Sequence, residues 1–88
     1  NEYSLSQNKP NPFNPSTNIK YQITKNDVNV KITVFDVSGK EIIVLVDKKH
    51  NIGIYEIEFN GSNLPSGIYF YRLSAGNFTK TKKMILIK

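Results

Sequence analysis

Residues Gly67 to Lys88 read GIYFYRLSAGNFTKTKKMILIK, two strand-forming runs around the turn Ala75-Gly76-Asn77. In the first run Ile68 and Phe70 fall on one face and Tyr69, Tyr71 and Leu73 on the other, so both faces are apolar. The second run begins with alternating Thr and Lys and ends in the uniformly apolar Met84-Ile-Leu-Ile87, one residue short of Lys88. Such runs belong to strands covered on both sides, or covered on one side and open to a partner on the other. Extreme termini are usually loose and polar. A β-forming run that reaches Lys88 is therefore expected to be folded in or offered to a partner.

Working back from this hairpin, the rest of the chain reads as the sandwich it completes. Tyr3 to Ser6 alternates apolar and polar and suggests a short first strand. Lys9 to Thr17, KPNPFNPST, places three prolines among nine residues. Proline removes backbone donors and biases the preceding residue to extended shapes, so neither helix nor central strand runs here. An ordered loop is expected, with Asn11 and Asn14 capping turns through their side-chain oxygens and Phe13 as apolar anchor. A proline-rich ligand for an SH3-type domain is the weaker alternative, because the motif is short and flanked by strands.

Thr17 to Thr24 alternates with Ile19, Tyr21 and Ile23 on one face. Val28 to Asp36 carries the cleanest period-two signal: Val28, Val30, Ile32 and Val34 inward, Asn29, Lys31 and Thr33 outward, and Phe35 on the outer side. Asp36 to Gly39 is a hairpin turn in which Gly39 supplies a positive φ. Lys40 to Asp47 is strand, being rich in β-branched residues. Asp47 to Asn51 reads as a polar loop that leaves His50 in solvent. Gly53 to Asn60 sets Tyr55, Ile57 and Phe59 against Glu56 and Glu58. Asn60-Gly61 and Leu64-Pro-Ser-Gly67 are turns. About seven short strands, turn signals every 8–12 residues or so and no helix define an all-β fold. The expected architecture is a small antiparallel immunoglobulin-like sandwich, with a partly open barrel second.

At 88 residues the chain is read as a single domain, 1–88, near the small end for an independent core. Its 39% apolar and 22% charged content is that of a globular chain. Without cysteine there is no disulfide and no thiolate ligand. No apolar run approaches the roughly 20 residues that span a bilayer, so the chain is read as not membrane-spanning. With neither an initiator Met nor a signal-peptide pattern at its start, it reads as a piece of a longer protein. The net charge of +5 is uneven: residues 1–58 carry seven basic and seven acidic side chains, and the rest carries only Arg72, Lys80, Lys82, Lys83 and Lys88. Lysines on an edge strand block aggregation, and the same cluster suits an anionic partner.

The inventory speaks against an enzyme. A nucleophilic triad needs a base beside the nucleophile, and the single His50 sits among lysines. Glu56 and Glu58 share a solvent face and do not make a glycosidase pair. No zinc, phosphate-loop or EF-hand spacing occurs, and no cofactor or metal is expected. Asp27, Asp36 and Asp47 lie in separate loops and match no calcium-binding spacing. The sequons at Asn60 and Asn77 are short enough to arise by chance. Tyr69, Phe70, Tyr71 and Phe78 among basic residues suggest a nucleic-acid platform, but aromatics on both faces are core-like and the RNP pattern is missing, so nucleic acid is not an expected partner.

Three segments taken in order resemble the type A C-terminal sorting domain of proteins exported by the type IX secretion system of Bacteroidetes and their relatives. They are Gln7 to Thr17 leading into Ile19 and Tyr21; Val34 to Lys40 with Gly53-Ile-Tyr55 and Phe59-Asn-Gly61; and Leu64 to Leu73 running to Lys82 through Lys88. Lys9 and Phe59 depart from the aromatic and tryptophan common there. The resemblance implies a non-catalytic address on a larger secreted protein, read by the outer-membrane translocon and its shuttle proteins. It also implies removal by a cell-surface sortase-like peptidase, after transit through periplasm and outer membrane. Recognition would fall on Gly67, Tyr69, Tyr71 and Leu73, and on Lys82, Lys83, Met84, Ile85, Leu86, Ile87 and Lys88. The loop motif would be Asn11, Pro12, Phe13, Asn14, Pro15, Ser16 and Thr17. The competing reading is an accessory spacer or carbohydrate-binding module of a secreted hydrolase, which calls for a planar row of exposed aromatics.

Overall fold

The computed structural model describes residues 2–88. Among the described residues seven strands form: β1 (Ser4–Leu5), β2 (Ser16–Ile23), β3 (Val28–Phe35), β4 (Glu41–His50), β5 (Gly53–Asn60), β6 (Gly67–Ala75) and β7 (Phe78–Leu86). They pair antiparallel into a three-stranded sheet, β1-β2-β5, and a four-stranded sheet, β4-β3-β6-β7. The architecture is the expected immunoglobulin-like sandwich. Period-two patterning builds it directly: β2 buries Thr17, Ile19, Tyr21 and Ile23 and exposes the residues between. Opposite them β3 contributes Val30, Ile32 and Val34, β6 contributes Tyr69, Tyr71, Leu73 and Ala75, and β7 contributes Met84 and Leu86. Burying each large apolar side chain stabilises by about 1.5–3 kcal/mol, so this layer is the main source of stability.

The turns follow residue chemistry. Gly76 (φ 58°) and Gly39 (φ 88°) hold backbone that an L side chain resists, one in the β6–β7 hairpin and one between β3 and β4. Asp36 caps the second turn: its Oδ1 accepts from the Ser38 amide (2.9 Å), the Ser38 hydroxyl (2.7 Å) and the Lys40 amide (3.0 Å). These bonds hold its carboxyl below the usual carboxylate range, the Ser38 hydroxyl contributing most.

Four expectations are corrected. Asp47–Asn51 is not a polar loop, because β4 continues to His50, paired residue by residue with the start of β3. Lys31 opposite Asp47 and Asn29 opposite Lys49 keep the polar side chains on the outer face without ending the strand. His50 therefore turns inward and is buried, not solvated. Its Nδ1 faces the Lys48 carbonyl (3.1 Å) and must carry the proton, so Nε2 accepts from the Tyr21 hydroxyl (2.9 Å). Thr33 is buried on the outer face, being central on the central strand β3 between Val44 and Arg72. The last strand stops at Leu86, so Ile87 and Lys88 lie beyond it.

Candidate functional site

The PNPFNP loop and the last strand, far apart in sequence, meet at one corner of the sandwich. Strand β7 is an edge strand, and its outer side at residues 83–87 is occupied by the loop. The Phe13 amide donates to the Ile85 carbonyl (2.9 Å) and the Ile87 amide donates to the Phe13 carbonyl (2.9 Å). Asn11 Oδ1 accepts from the Ile85 amide (3.0 Å), and Gln7 Nε2 donates to the Lys83 carbonyl (2.7 Å). Thus Asn11 does not cap its own loop; it reaches across to β7. The backbone groups of Ile85 are satisfied within the chain. The Phe13 ring is 1% exposed and meets the Phe59 ring edge-on at 6.0 Å. Gly61 stands against this corner, where an added Cβ would come within 3.0 Å of Leu86 Cδ2 and 3.4 Å of the Phe13 ring.

A second set of contacts ties the approach to the loop into the core. The Tyr71 side chain is fully buried, and its hydroxyl donates to the Ser6 carbonyl (2.7 Å) while accepting from the Asn8 amide (2.8 Å). Burial pushes the Tyr71 phenol up to about 12, against the smaller opposing effect of the Asn8 N–H. Asn8 is buried too, and its Nδ2 donates to Thr17 Oγ1 (3.0 Å) and the Pro10 carbonyl (3.1 Å). Thr17 Oγ1 in turn donates to the Pro10 carbonyl (2.8 Å). Asn8 was missed by sequence reasoning, because a buried asparagine looks like any turn residue until its partners are seen.

The residues expected to be recognised divide by exposure. Tyr69, Tyr71, Leu73, Met84 and Leu86 are inward and buried, and the Tyr69 hydroxyl donates to the Pro65 carbonyl (2.7 Å). Lys83, Ile87 and Lys88 are exposed, while Gly67, Lys82 and Ile85 are half-buried. The Lys88 amide donates to Ser66 Oγ (3.0 Å) and its ammonium to the Ser62 carbonyl, so the end of the chain is tied to the β5–β6 connection. In the loop motif Phe13 and Thr17 are buried, Pro15 and Ser16 half-buried, and Asn11, Pro12 and Asn14 exposed.

No other cluster of chemically reactive side chains converges among the described residues. Among the described residues no group of three or more His, Cys, Asp or Glu side chains could hold a metal ion. Asp27 and Asp36 flank β3 at its opposite ends, roughly 30 Å apart along an extended chain of nine residue steps. A cleft of about 1040 Å³ opens near Asp27, Lys48 and Phe78, at the far end of the sandwich from Phe13. Every aromatic side chain is buried or half-buried, so the row of exposed rings that a glycan-binding module calls for is missing among the described residues. No helix is long and apolar enough to cross a membrane, among the described residues.

An all-β sandwich whose proline loop is laced to its last strand is a packed module with its distinctive residues gathered at one corner. Residues 10–88 match the family model described as the secretion system C-terminal sorting domain, and the chain belongs to that family. Membership makes this domain a type IX sorting signal rather than a catalyst, one that directs secretion to the cell surface or outside and implies interaction with the secretion machinery. Comparison with curated proteins gave no match.

Proposed function

We propose that this domain is the address by which the outer-membrane translocon and its shuttle proteins take up an attached cargo, after which a cell-surface sortase-like peptidase removes it. One observation carries this reading: the two sequence motifs typical of the family, the Asn11–Thr17 loop and the end of β7, are a single structural unit joined through Phe13 and Ile85. The residues divide into a frame and a face. Tyr69, Tyr71, Leu73, Met84 and Leu86 hold the unit in shape. Lys82, Lys83, Ile85, Ile87 and Lys88 present it, the lysines raising encounter rate and fixing orientation more than adding affinity.

The test is a secreted reporter fused ahead of the 88 residues in a type IX-competent host, with and without Ile85–Lys88. The truncated reporter is expected to stay off the surface, and surface delivery at full yield would show the reading to be wrong. Appending several residues after Lys88 is expected to lower delivery as well, because they would crowd the corner where Lys88 packs on the β5–β6 connection. A passive spacer would tolerate the addition.

A further inference from the structure

The outward parity of β6 and β7, which carries Lys83 and Ile85 of the motif, forms with β3 a surface on the outside of the four-stranded sheet. Cross-strand register places Phe35 opposite Phe70, Ile68 opposite Ile85, Phe70 opposite Lys83 and Arg72 opposite Thr81. Ile68 is 41% exposed, and Val37 on the neighbouring turn is 69% exposed. The Arg72 guanidinium carbon lies over the Phe35 ring, 4.6 Å from its centre. A shallow pocket of about 280 Å³, lined by Phe35, Val37, Phe70, Arg72 and Thr81 with Asp36 and Gly39 at its end, is floored by these rings.

Charge decides what fits. The one ion pair within 4.0 Å among the described residues is Lys49–Asp27, so neither Arg72 nor Lys83 is neutralised. The Arg72 guanidinium sits over the Phe35 ring with no carboxylate partner, and its fork of N–H donors suits a carboxylate through two parallel bonds. The acids on this face are Asp47, opposite Lys31 towards the far end of the strand pair, and Asp36 and Glu41 at the β3–β4 turn, where Asp36 is committed to that turn beside Lys40. Around the pocket the face is apolar at Phe35 and Phe70 and cationic at Arg72 and Lys83. A pocket of this size takes one or two side chains.

We propose that this outer face, centred on Phe35, Phe70 and Arg72, is a docking surface for an acidic loop of a partner protein that carries an apolar side chain next to a carboxylate. The apolar group fills the pocket and the carboxylate meets Arg72 and Lys83, away from Asp36 and Glu41. This rests on the sorting reading for the existence of a partner, and adds where that partner sits and what chemistry it offers.

The test uses the ¹⁵N-labelled 88-residue chain titrated with an alternating Glu-Leu hexapeptide, its Gln-Leu counterpart, inorganic phosphate, and phosphatidylglycerol vesicles. Saturable shifts are expected at Ile68, Phe70, Arg72, Thr81 and Lys83 with the acidic peptide alone. Arg72→Gln should weaken them ~tenfold, about 1.4 kcal/mol, with the thermal melt lowered by only a few degrees at most. Absence of saturable shifts, equal binding of the Gln-Leu peptide, an unaffected Arg72→Gln variant, or preference for phosphate or vesicles would each overturn the proposal. In the reporter host, Arg72→Gln with Phe70→Ala is expected to cut surface yield at least about fivefold. Normal yield for that variant, with the Ile85–Lys88 deletion still blocking export, overturns the docking surface and leaves the sorting reading intact. Normal yield for both overturns the sorting reading itself.

Discussion

Tyr71→Phe separates a structural role from a recognition role at one atom. The ring is fully buried, and the change leaves no cavity, so the cost is confined to the hydroxyl. Its loss strands two groups: the buried Asn8 N–H, bonded at 2.8 Å, and the Ser6 carbonyl, bonded at 2.7 Å. An unsatisfied buried donor costs about 1–3 kcal/mol and a partly wetted carbonyl less, giving roughly 2–4 kcal/mol together. For a domain this size that lowers Tm by roughly 10–25 °C, with the urea m-value unchanged. Alkaline pH supplies a second readout. With the Tyr71 phenol pushed up to about 12, the folded protein holds that proton more tightly than the unfolded chain, whose phenols titrate near 10. The contribution is whole below pH of about 10 and is lost as pH rises towards 12, amounting to about 2–3 kcal/mol. The variant should lack this part of the alkaline slope. Urea melts of both proteins at neutral pH and at about pH 11 decide the matter. A variant of parental stability that nevertheless fails to sort its cargo would refute the reasoning and move Tyr71 into the recognition set.

Three further outcomes follow from other contacts. Phe13→Ala removes a buried ring at the loop–strand junction, should cost about 3–5 kcal/mol, and should speed hydrogen exchange at the Ile87 amide, which Phe13 accepts from. Tyr21→Phe leaves buried His50 Nε2 without its donor and should lower stability by about 1–3 kcal/mol in a urea melt, where a solvated His50 would give no change. The Asp36 cap is present above the ordinary carboxylate range and lost as pH falls through its lowered value. Exchange at the Ser38 and Lys40 amides, normalised for the intrinsic rate, should therefore rise on acidification and be pH-independent in Asp36→Ala.

Strand parity was legible and strand neighbours were not. Alternation placed Tyr69, Tyr71 and Leu73 on the face opposite Ile68 and Phe70, because a pleated strand has only two sides. It could not say that β7 would lie on an edge or that a loop more than sixty residues away would occupy that edge. Those facts depend on sheet order, a property of the whole chain. His50 was misread because Asp47-Lys-Lys has loop composition, and only the pairing of β3 through Val28 reveals that the strand continues. Asn8 escaped for a related reason. Its partners Thr17, Pro10 and Tyr71 converge only once both sheets exist.

The same geometry bears on whether a partner meets this hairpin folded or opened. For Tyr69, Tyr71, Leu73, Met84 and Leu86 to be touched directly, the β6–β7 hairpin would have to leave the sandwich. At about 1.5–3 kcal/mol for each large side chain returned to water, that exposure costs on the order of 10 kcal/mol. At roughly 0.05–0.15 kcal/mol per residue, the 88 residues have about 4–13 kcal/mol of stability in total. Opening the hairpin is therefore as costly as unfolding the whole chain, and no cheap intermediate lies between. The prediction is that the Tyr69 and Tyr71 amides exchange only through global unfolding, with the free energy and denaturant slope of the urea melt. Exchange at these amides several kcal/mol easier than the global transition, with a shallow denaturant dependence, would expose a detachable hairpin and return the buried residues to the list of possible contacts. With global exchange, the readable surface is what the folded domain displays: Lys83, Ile87, Lys88 and the outer face around Arg72.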